Sequence, residues 1–227
     1  MISTFFQLVS VLAFGSVLAC NSVSSSSVPA VPVAEPQATP NTMSKMVGDK
    51  QVAIFAGGCF WGVEAVFEHV NGVIDAKSGY SGGVAKTADY ETVSGGKTGH
   101  AESVQVTFDP AKVSYEQLLE VFFKVAHDPT ELNRQGPDTG TQYRSAIFFT
   151  SDEQKQAAIS FIEKLNASGV YKQPIVTQVV PLEKFYDAEA YHQNYLPQNM
   201  DQAYIVINDL PKIEDLKKQF PALFVKK

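Results

Sequence analysis

Residues 52–70, VAIFAGGCFWGVEAVFEHV, join a strand pattern directly to a helix pattern. The run Val52–Ala56 is short and apolar and stops at Gly57-Gly58, which predicts a buried strand. From Phe60 onward the apolar side chains recur at helical spacing, at Val63, Val66, Phe67 and Val70. Asn71-Gly72 is predicted to end this helix. A buried strand that runs straight into a helix is a unit of α/β and α+β domains.

The rest of the chain continues this alternation of strands and helices. Further strands are predicted at Ser103–Phe108, Ser145–Phe149 and Ile175–Val180. Further helices are predicted behind the N-cap Ser114, from Ser151 or Asp152 to about Leu165, and around Ile213–Phe220. Helices that alternate with strands of mixed length predict a two-layer α/β or α+β domain.

Two long polar, glycine-rich stretches interrupt the pattern, at Ser78–Gly99 and Asp128–Thr141. Loops of this length in a compact domain usually carry function. We therefore expect binding or catalytic side chains in both stretches.

The first 46 residues differ in composition from the rest. Residues 1–20 are apolar and uncharged and end in Val17-Leu18-Ala19-Cys20, which predicts a secretory signal. Cys20 after Ala19 resembles a bacterial lipobox, in which the cysteine becomes the lipid-modified N-terminus. The absence of Lys or Arg before the apolar core, and the bulk of Leu18, leave open plain secretion with an incidental cysteine. Residues 21–46 are rich in Ser and Pro and predict a disordered tether.

The remaining residues, 47–227, are predicted to form one folded domain. The chain has 227 residues, 44% of them hydrophobic, which fits a single globular domain with appendages. The net charge of −6 belongs to the folded part, because Glu35 and Lys45 cancel in the first 46 residues. An acidic balance argues against a nucleic-acid surface, which needs a basic patch. The signal and tether predict export, with the domain anchored to a membrane and facing the periplasm or the cell surface.

Cys59 is the residue in this sequence best placed for chemistry. It lies between a strand's carboxyl end and a helix's first turn, where free backbone N–H groups and the helix dipole lower a thiol's pKa. The glycines before it allow a tight turn and leave the sulfur approachable. A buried, inert cysteine is an equally open interpretation of the position alone. No cysteine follows it through Lys227, so something outside this domain must restore an oxidised Cys59.

Other polar and aromatic residues lie near Cys59 in sequence or in the two long stretches. Glu102 precedes a predicted buried strand, where a desolvated carboxyl would have a raised pKa and could donate a proton; an exposed strand-end charge is the alternative. Tyr90 and Tyr143 could donate hydrogen bonds to an oxygen ligand. Phe60 and Trp61 could flank the sulfur or pack in the core. The four histidines show no metal-ligand spacing and the glycine clusters lack phosphate-binding fingerprints, so neither a metal nor a cofactor is expected.

Five sequence blocks together resemble one family, the A-type peptide methionine sulfoxide reductases. The blocks cover nearly the whole folded part and occur in the family's order: Gly58–Glu64, Gly79–Gly83, Tyr90–Glu102, His127–Ser145 and Ala188–Gln193. The resemblance implies a two-layer α/β sandwich with a ferredoxin-like core and a mixed sheet. It implies reduction of peptide-bound or free methionine S-sulfoxide in repair of oxidised proteins. Methionine sulfoxide reduction by such enzymes is a known reversal of oxidative damage.

The resemblance also assigns roles to residues. Cys59 would attack the sulfoxide sulfur and become a sulfenic acid, and Glu102 would protonate the sulfoxide oxygen. Tyr90 and Tyr143, assisted by Asp138, would hold that oxygen, and Phe60 with Trp61 would enclose the S-methyl group. Many relatives carry resolving cysteines in the C-terminal tail, whereas residues 195–227 contain none. The resemblance is therefore to a single-cysteine subtype that depends on an external reductant, a thioredoxin-like protein or a small thiol.

Two other functions use the same residues. A single-cysteine peroxidase would also need an activated thiol and outside recycling, and activity on peroxide rather than methionine sulfoxide would reveal it. A non-catalytic surface lipoprotein could retain the fold, and slow alkylation of Cys59 at neutral pH would favour it. The set Glu102, Tyr90 and Tyr143 favours a neutral sulfoxide oxygen as the ligand, which supports the reductase.

Overall fold

The structure is a computed structural model and describes residues 50–227. The predicted signal segment 1–20 with Cys20, and the predicted tether 21–46, lie outside the described residues. The division of the chain at residue 47 therefore stays a prediction.

The described chain alternates eight strands with six α-helices. The strands are β1 Gln51–Ala56, β2 Val73–Ser81, β3 Ala101–Phe108, β4 Arg134–Gln135, β5 Asp138–Thr139, β6 Ala146–Phe149, β7 Gln178–Pro181 and β8 Phe185–Asp187. The helices are α1 Phe60–Glu68, α2 Tyr90–Ser94, α3 Tyr115–Val121, α4 Asp152–Ser168, α5 Tyr195–Gln198 and α6 Leu210–Gln219. One wide helical turn extends α3 over Phe122–Ala126, and another, Ile205–Asp209, leads into α6.

Six of the strands form one mixed sheet in the order β7-β6-β1-β3-β2-β8. All neighbouring pairs are antiparallel except β6 and β7, which are parallel. If the short intervening elements are left aside, the chain order is strand, helix, two strands, helix and strand: β1, α1, β2, β3, α3 and β6. With β6-β1-β3-β2 as the sheet order, this is a ferredoxin-like core. The predicted fold class, a two-layer α/β sandwich with a mixed sheet, is confirmed.

The main core lies between the sheet and its helices. Alternate residues of β1, Ala53 and Phe55, face this layer, and Phe55 stacks on Phe67 of α1 with ring centroids 5.0 Å apart. Phe122, after α3, also stacks on Phe55, with ring centroids 4.8 Å apart. The strand that leads to Cys59 is thus held on its helix side by stacked aromatic rings.

Three sequence expectations were wrong in detail. Ser78–Gly99 is not one long loop, because its first residues belong to β2, the strand with the most extensive pairing to β3. Position 79 of β2 requires glycine, because a Cβ there would overlap the Phe185 side chain and the Tyr186 carbonyl of the adjoining β8. The strand predicted at Ile175–Val180 begins only at Gln178. Glu102 lies inside β3 rather than before it, since that strand begins at Ala101.

The C-terminal segment folds back over the main domain. Asn71 donates a backbone hydrogen bond to Leu223, and Val225 donates one to His69, so the last residues pair with the end of α1. Within residues 50–227, none of the helices is both long and apolar enough to cross a bilayer. The same part of the chain has no grouping of His, Cys, Asp and Glu able to hold a metal ion.

Candidate active site

Cys59 caps the N-terminus of α1 at the end of a turn that only glycine fits. Gly58 has a positive φ of 94°, a conformation that L side chains rarely adopt. A Cβ at Gly58 would stand 2.6 Å from the Gln135 side chain, and one at Gly57 would stand 2.8 Å from the His127 ring. The two glycines therefore let β1 turn sharply between two packed side chains, and this turn sets the position of the sulfur.

A cavity of about 200 Å³ opens beside Cys59. It is lined by Cys59, Phe60, Trp61, Tyr90, Glu102, Asp138, Tyr143 and Tyr204. The first seven are the site residues expected from the sequence, and the structure brings all of them together. They arrive from separate elements: α1, α2, β3, β5 and the short turn Thr141–Tyr143. The predicted lipidation site Cys20 lies outside the described residues.

Glu102 is a buried carboxyl group on the wall of the cavity. Its residue is only 2% exposed, and its Oε2 accepts a hydrogen bond of 3.1 Å from the Phe60 backbone N–H. Burial raises the pKa of Glu102 to about 8, and this one hydrogen bond opposes the rise without cancelling it. The carboxyl group is therefore mostly protonated at neutral pH and can donate a proton into the cavity. The exposed strand-end alternative is wrong.

The environment of the Cys59 thiol differs from the sequence expectation. Burial raises the pKa of Cys59 well above its ordinary value, and the negative charge of Asp209, together with that of Glu102 once it ionises, raises the pKa further. The Trp61 backbone N–H and the Lys212 ammonium act in the opposite direction but do not outweigh burial. The helix N-terminus is present as predicted, yet desolvation is the larger effect. Cys59 is therefore a neutral thiol at neutral pH.

Three phenols surround the polar side of the cavity. Burial raises the pKa of Tyr90 and of Tyr143, so both keep their hydroxyl protons and can donate hydrogen bonds. The third phenol, Tyr204, donates to Asp138 Oδ2. The sequence analysis missed Tyr204, because it lies in a tail whose residues carried no recognised pattern; only the packing of that tail brings it to the cavity.

The apolar side of the cavity is built from the first turn of α1. Phe60 is 1% exposed, and its ring lies 5.8 Å from that of Tyr80. Trp61 stacks on Tyr195, with centroids 3.8 Å apart and planes 8° apart. The indole N–H of Trp61 donates a 3.1 Å hydrogen bond to His192 Nδ1. These contacts place two aromatic walls next to the thiol.

A buried ion pair lies against the same helix turn and was also missed. Asp209 is 0% exposed, and its Oδ1 is 3.2 Å from the Lys212 ammonium, while Oδ2 has no hydrogen-bond partner. A Cβ on Gly62 would overlap the Asp209 carboxylate, so Gly62 makes room for this pair. Asp209 raises the pKa of Cys59 and Lys212 lowers it, so the two charges of this pair partly offset each other at the sulfur.

The arrangement suits chemistry on a neutral, polar oxygen bonded to an atom that a thiol can attack. Glu102 supplies the proton, the phenols supply hydrogen bonds, and the aromatic walls accept a small apolar group. With Glu102 protonated, the cavity offers hydrogen-bond and proton donors to such an oxygen, and none of its lining residues is a Lys or Arg that could hold an anion.

Comparisons with known proteins agree with this chemistry. The model of the family described as peptide methionine sulfoxide reductase matches residues 51–223. The chain is 57% identical over 183 residues to "Peptide methionine sulfoxide reductase MsrA 2" of Mesorhizobium japonicum, covering 81% of this chain and 94% of that relative.

Solved structures give the same result for the fold. Reduced Mxr1 from Saccharomyces cerevisiae matches with a TM-score of 0.62 and 36% identity, over 67% of this chain and 87% of that one. Methionine sulfoxide reductase A of Corynebacterium diphtheriae matches with a TM-score of 0.59 and 34% identity, over 68% and 78% of the two chains.

Proposed function

We infer the roles of the cavity residues from one premise: the chain belongs to the peptide methionine sulfoxide reductase family. The protein is a peptide-methionine (S)-S-oxide reductase, which reduces peptide-bound and free methionine S-sulfoxide to methionine with electrons from thiols. This reaction repairs oxidised proteins.

In the proposed mechanism Cys59 attacks the sulfoxide sulfur while Glu102 gives its proton to the sulfoxide oxygen. A sulfoxide oxygen leaves poorly unless it is protonated, which is why the acid must be neutral beforehand. This attack forms a bond between the Cys59 sulfur and the substrate sulfur, and the protonated oxygen then moves as a hydroxyl group from the substrate sulfur to the Cys59 sulfur. The S–O and S–S bonds to the substrate break, methionine leaves with the electron pair on its sulfur, and Cys59 is left as a sulfenic acid. Glu102 recovers a proton from the Cys59 thiol, so that protons and electrons balance over the step.

The other cavity residues position the substrate. Tyr90 and Tyr143 donate hydrogen bonds to the oxygen, and Asp138 orients this polar side through its bond to Tyr204. Phe60 and Trp61 enclose the S-methyl group. The observation that carries these roles is that a buried, protonated carboxyl group and the thiol line the same cavity.

We also propose that an external thiol restores the enzyme directly. The sequence contains no cysteine after Cys59, through Lys227. A first thiol would displace water from the sulfenic acid and form a mixed disulfide, and a second thiol would release Cys59. A thioredoxin-like protein or a small thiol would serve, and the partly open cavity next to Cys59 gives such a thiol access.

Steady-state turnover of a sulfoxide-containing peptide tests these assignments. Cys59→Ser should abolish turnover with every donor, because a hydroxyl is a far weaker nucleophile than a thiolate. The matched variant Cys20→Ser should keep the turnover of the wild-type protein. Activity that survives the first change, or is lost with the second, contradicts the assignment of one nucleophile. Thioredoxin and a glutathione system, tested separately with wild type, identify the donor.

The proposed location is an exported domain anchored through lipid on Cys20. It rests on the apolar segment 1–20 and its lipobox-like end. Wild-type protein should fractionate with membranes, and Cys20→Ala should release it or block its processing. Soluble wild-type protein with an unmodified N-terminus at Asn21 or earlier would instead indicate plain secretion.

A further inference from the structure

His192 lies directly behind the cavity, and the mechanism above gives it no role. Its residue is 2% exposed. Its ring centroid is 4.5 Å from that of Tyr90, 5.0 Å from that of Phe60 and 5.8 Å from that of Trp61. All three of these residues line the cavity. One buried imidazole therefore contacts three of the cavity walls from behind.

The hydrogen bond from Trp61 determines which form of the imidazole is present. An indole N–H can only donate, so His192 Nδ1 must carry no proton in order to accept. The ring proton then sits on Nε2, which lies 3.8 Å from Glu189 Oε2. Burial lowers the pKa of His192 and so favours this neutral ring.

Glu189, which lies beside His192, connects this group of side chains to the polar side of the cavity. Its Oε1 accepts a 2.9 Å hydrogen bond from the Tyr90 backbone N–H at the start of α2, and its Oε2 accepts one of 2.9 Å from the Tyr80 hydroxyl. The His192 backbone N–H in turn bonds to the Glu189 carbonyl at 2.9 Å. The turn 189–192 is therefore hydrogen-bonded both to Trp61, on the apolar side of the cavity, and to Tyr90, on its polar side.

The indole of Trp61 needs this hydrogen bond to keep a fixed place. Its stacking on Tyr195 fixes the plane of the ring, but parallel stacking alone permits sliding and rotation within that plane. The bond to His192 Nδ1 removes this freedom, because its geometry restricts both the distance and the direction of the indole N–H.

We propose that His192 is a positioning residue for substrate recognition, which holds the Trp61 indole in the orientation that closes the apolar side of the cavity. This inference rests on the proposed function, in which Trp61 contacts the S-methyl group. The indole contacts the apolar part of the substrate and not the breaking S–O bond. Losing its hydrogen bond should therefore weaken substrate binding more than it slows the chemical step.

Two substitutions of nearly equal shape separate the hydrogen bond from the packing. His192→Asn places an amide oxygen close to the position of Nδ1 and can still accept, whereas His192→Leu cannot. In single turnovers with a sulfoxide peptide, His192→Leu should raise the half-saturating peptide concentration roughly 3–10-fold, with a limiting rate within about threefold of wild type. His192→Asn should stay within about twofold in both quantities. His192→Gln, whose amide oxygen lies nearer the position of Nε2, should behave like His192→Leu and replaces it if the leucine variant does not fold.

Tryptophan fluorescence gives a second readout, because Trp61 is the only tryptophan in the chain. Without substrate, His192→Leu or His192→Gln should change the emission and increase quenching by acrylamide, and His192→Asn should not. Unchanged emission in the non-accepting variants, or an asparagine variant impaired as much as the leucine variant, would overturn the proposal. Failure of wild type to reduce methionine sulfoxide would reject the function instead, and the fluorescence comparison would still decide whether His192 holds Trp61.

Discussion

The substitution Glu102→Gln should remove most of the activity while making the protein more stable. Glutamine keeps an oxygen that can accept the 3.1 Å hydrogen bond from the Phe60 N–H, so the local structure should survive. It cannot give a full proton to the sulfoxide oxygen, and a positioned acid typically contributes 10²–10⁴-fold to a rate. The single-turnover rate should fall by roughly that factor, with a much smaller change in substrate binding.

The stability gain follows from the raised pKa of Glu102. An ordinary glutamate titrates near 4.5 and this one at about 8, so the unfolded chain gives up this proton at lower pH than the folded protein does. Below about pH 4.5 the carboxyl group does not lower the free energy of unfolding, because it is protonated in both the folded and the unfolded state. As the pH rises towards 8 the wild-type protein loses stability, to a total of about 5 kcal/mol at about 1.4 kcal/mol per tenfold change in the ionisation constant. Glutamine has no such loss.

Urea unfolding of wild type and variant at pH 5 and pH 9 measures this difference. The advantage of Glu102→Gln in free energy of unfolding should grow by about 4 kcal/mol between the two pH values. Glu102→Asp is a useful control, because it keeps an ionisable group and should keep a pH-dependent loss. An advantage that does not change with pH, or a single-turnover rate within tenfold of wild type, would refute the assignment of a buried, protonated acid.

Two further substitutions and one single-turnover assay test other parts of the site. Gly62→Ala should lower the free energy of unfolding by more than about 1 kcal/mol, although alanine normally stabilises a helix, because its Cβ would overlap the Asp209 carboxylate; an unchanged urea midpoint would contradict this packing. Tyr204→Phe should raise the half-saturating sulfoxide concentration roughly 3–10-fold, because it removes the hydrogen bond to Asp138. An unchanged half-saturating concentration would show that this bond does not contribute to substrate binding. One turnover without added thiol should give about one methionine per enzyme and a sulfenic acid on Cys59; mass spectrometry showing a loss of two hydrogens would indicate a disulfide instead.

The sequence predicted the parts of the site that depend on local pattern. The run from Val52 to Val70 contains its own strand, turn and helix signals, so the position of Cys59 at the junction followed from periodicity and two glycines. The roles of the other six predicted cavity residues came from blocks of family resemblance, and the structure places these residues around the cavity as expected. Neither route required knowledge of the tertiary structure.

What the sequence did not predict depends on contacts between distant segments. Tyr204 and Asp209 reach the site because the tail folds back over α1, and no motif marks either residue. The pKa of Cys59 was predicted in the wrong direction, because its helix position is visible in the sequence but its burial is not. The end of β2, residues 78–81, was interpreted as loop because its glycine and serine residues resemble loop composition, although the pairing with β3 and β8 decides its structure.

The neutral Cys59 thiol has a consequence for a protein that operates among oxidants. Hydrogen peroxide reacts with thiolates, and a thiol whose pKa is raised by burial and by nearby carboxylates offers few of them at neutral pH. The Cys59 thiol should therefore react slowly with peroxide while no sulfoxide is bound. Slow alkylation of Cys59 would for the same reason be expected of an active reductase, and would not identify an inactive lipoprotein. In the proposed step Cys59 loses its proton to Glu102 only as Glu102 gives its own to the bound sulfoxide, so the reactive form of the thiol should arise mainly when a damaged methionine occupies the cavity.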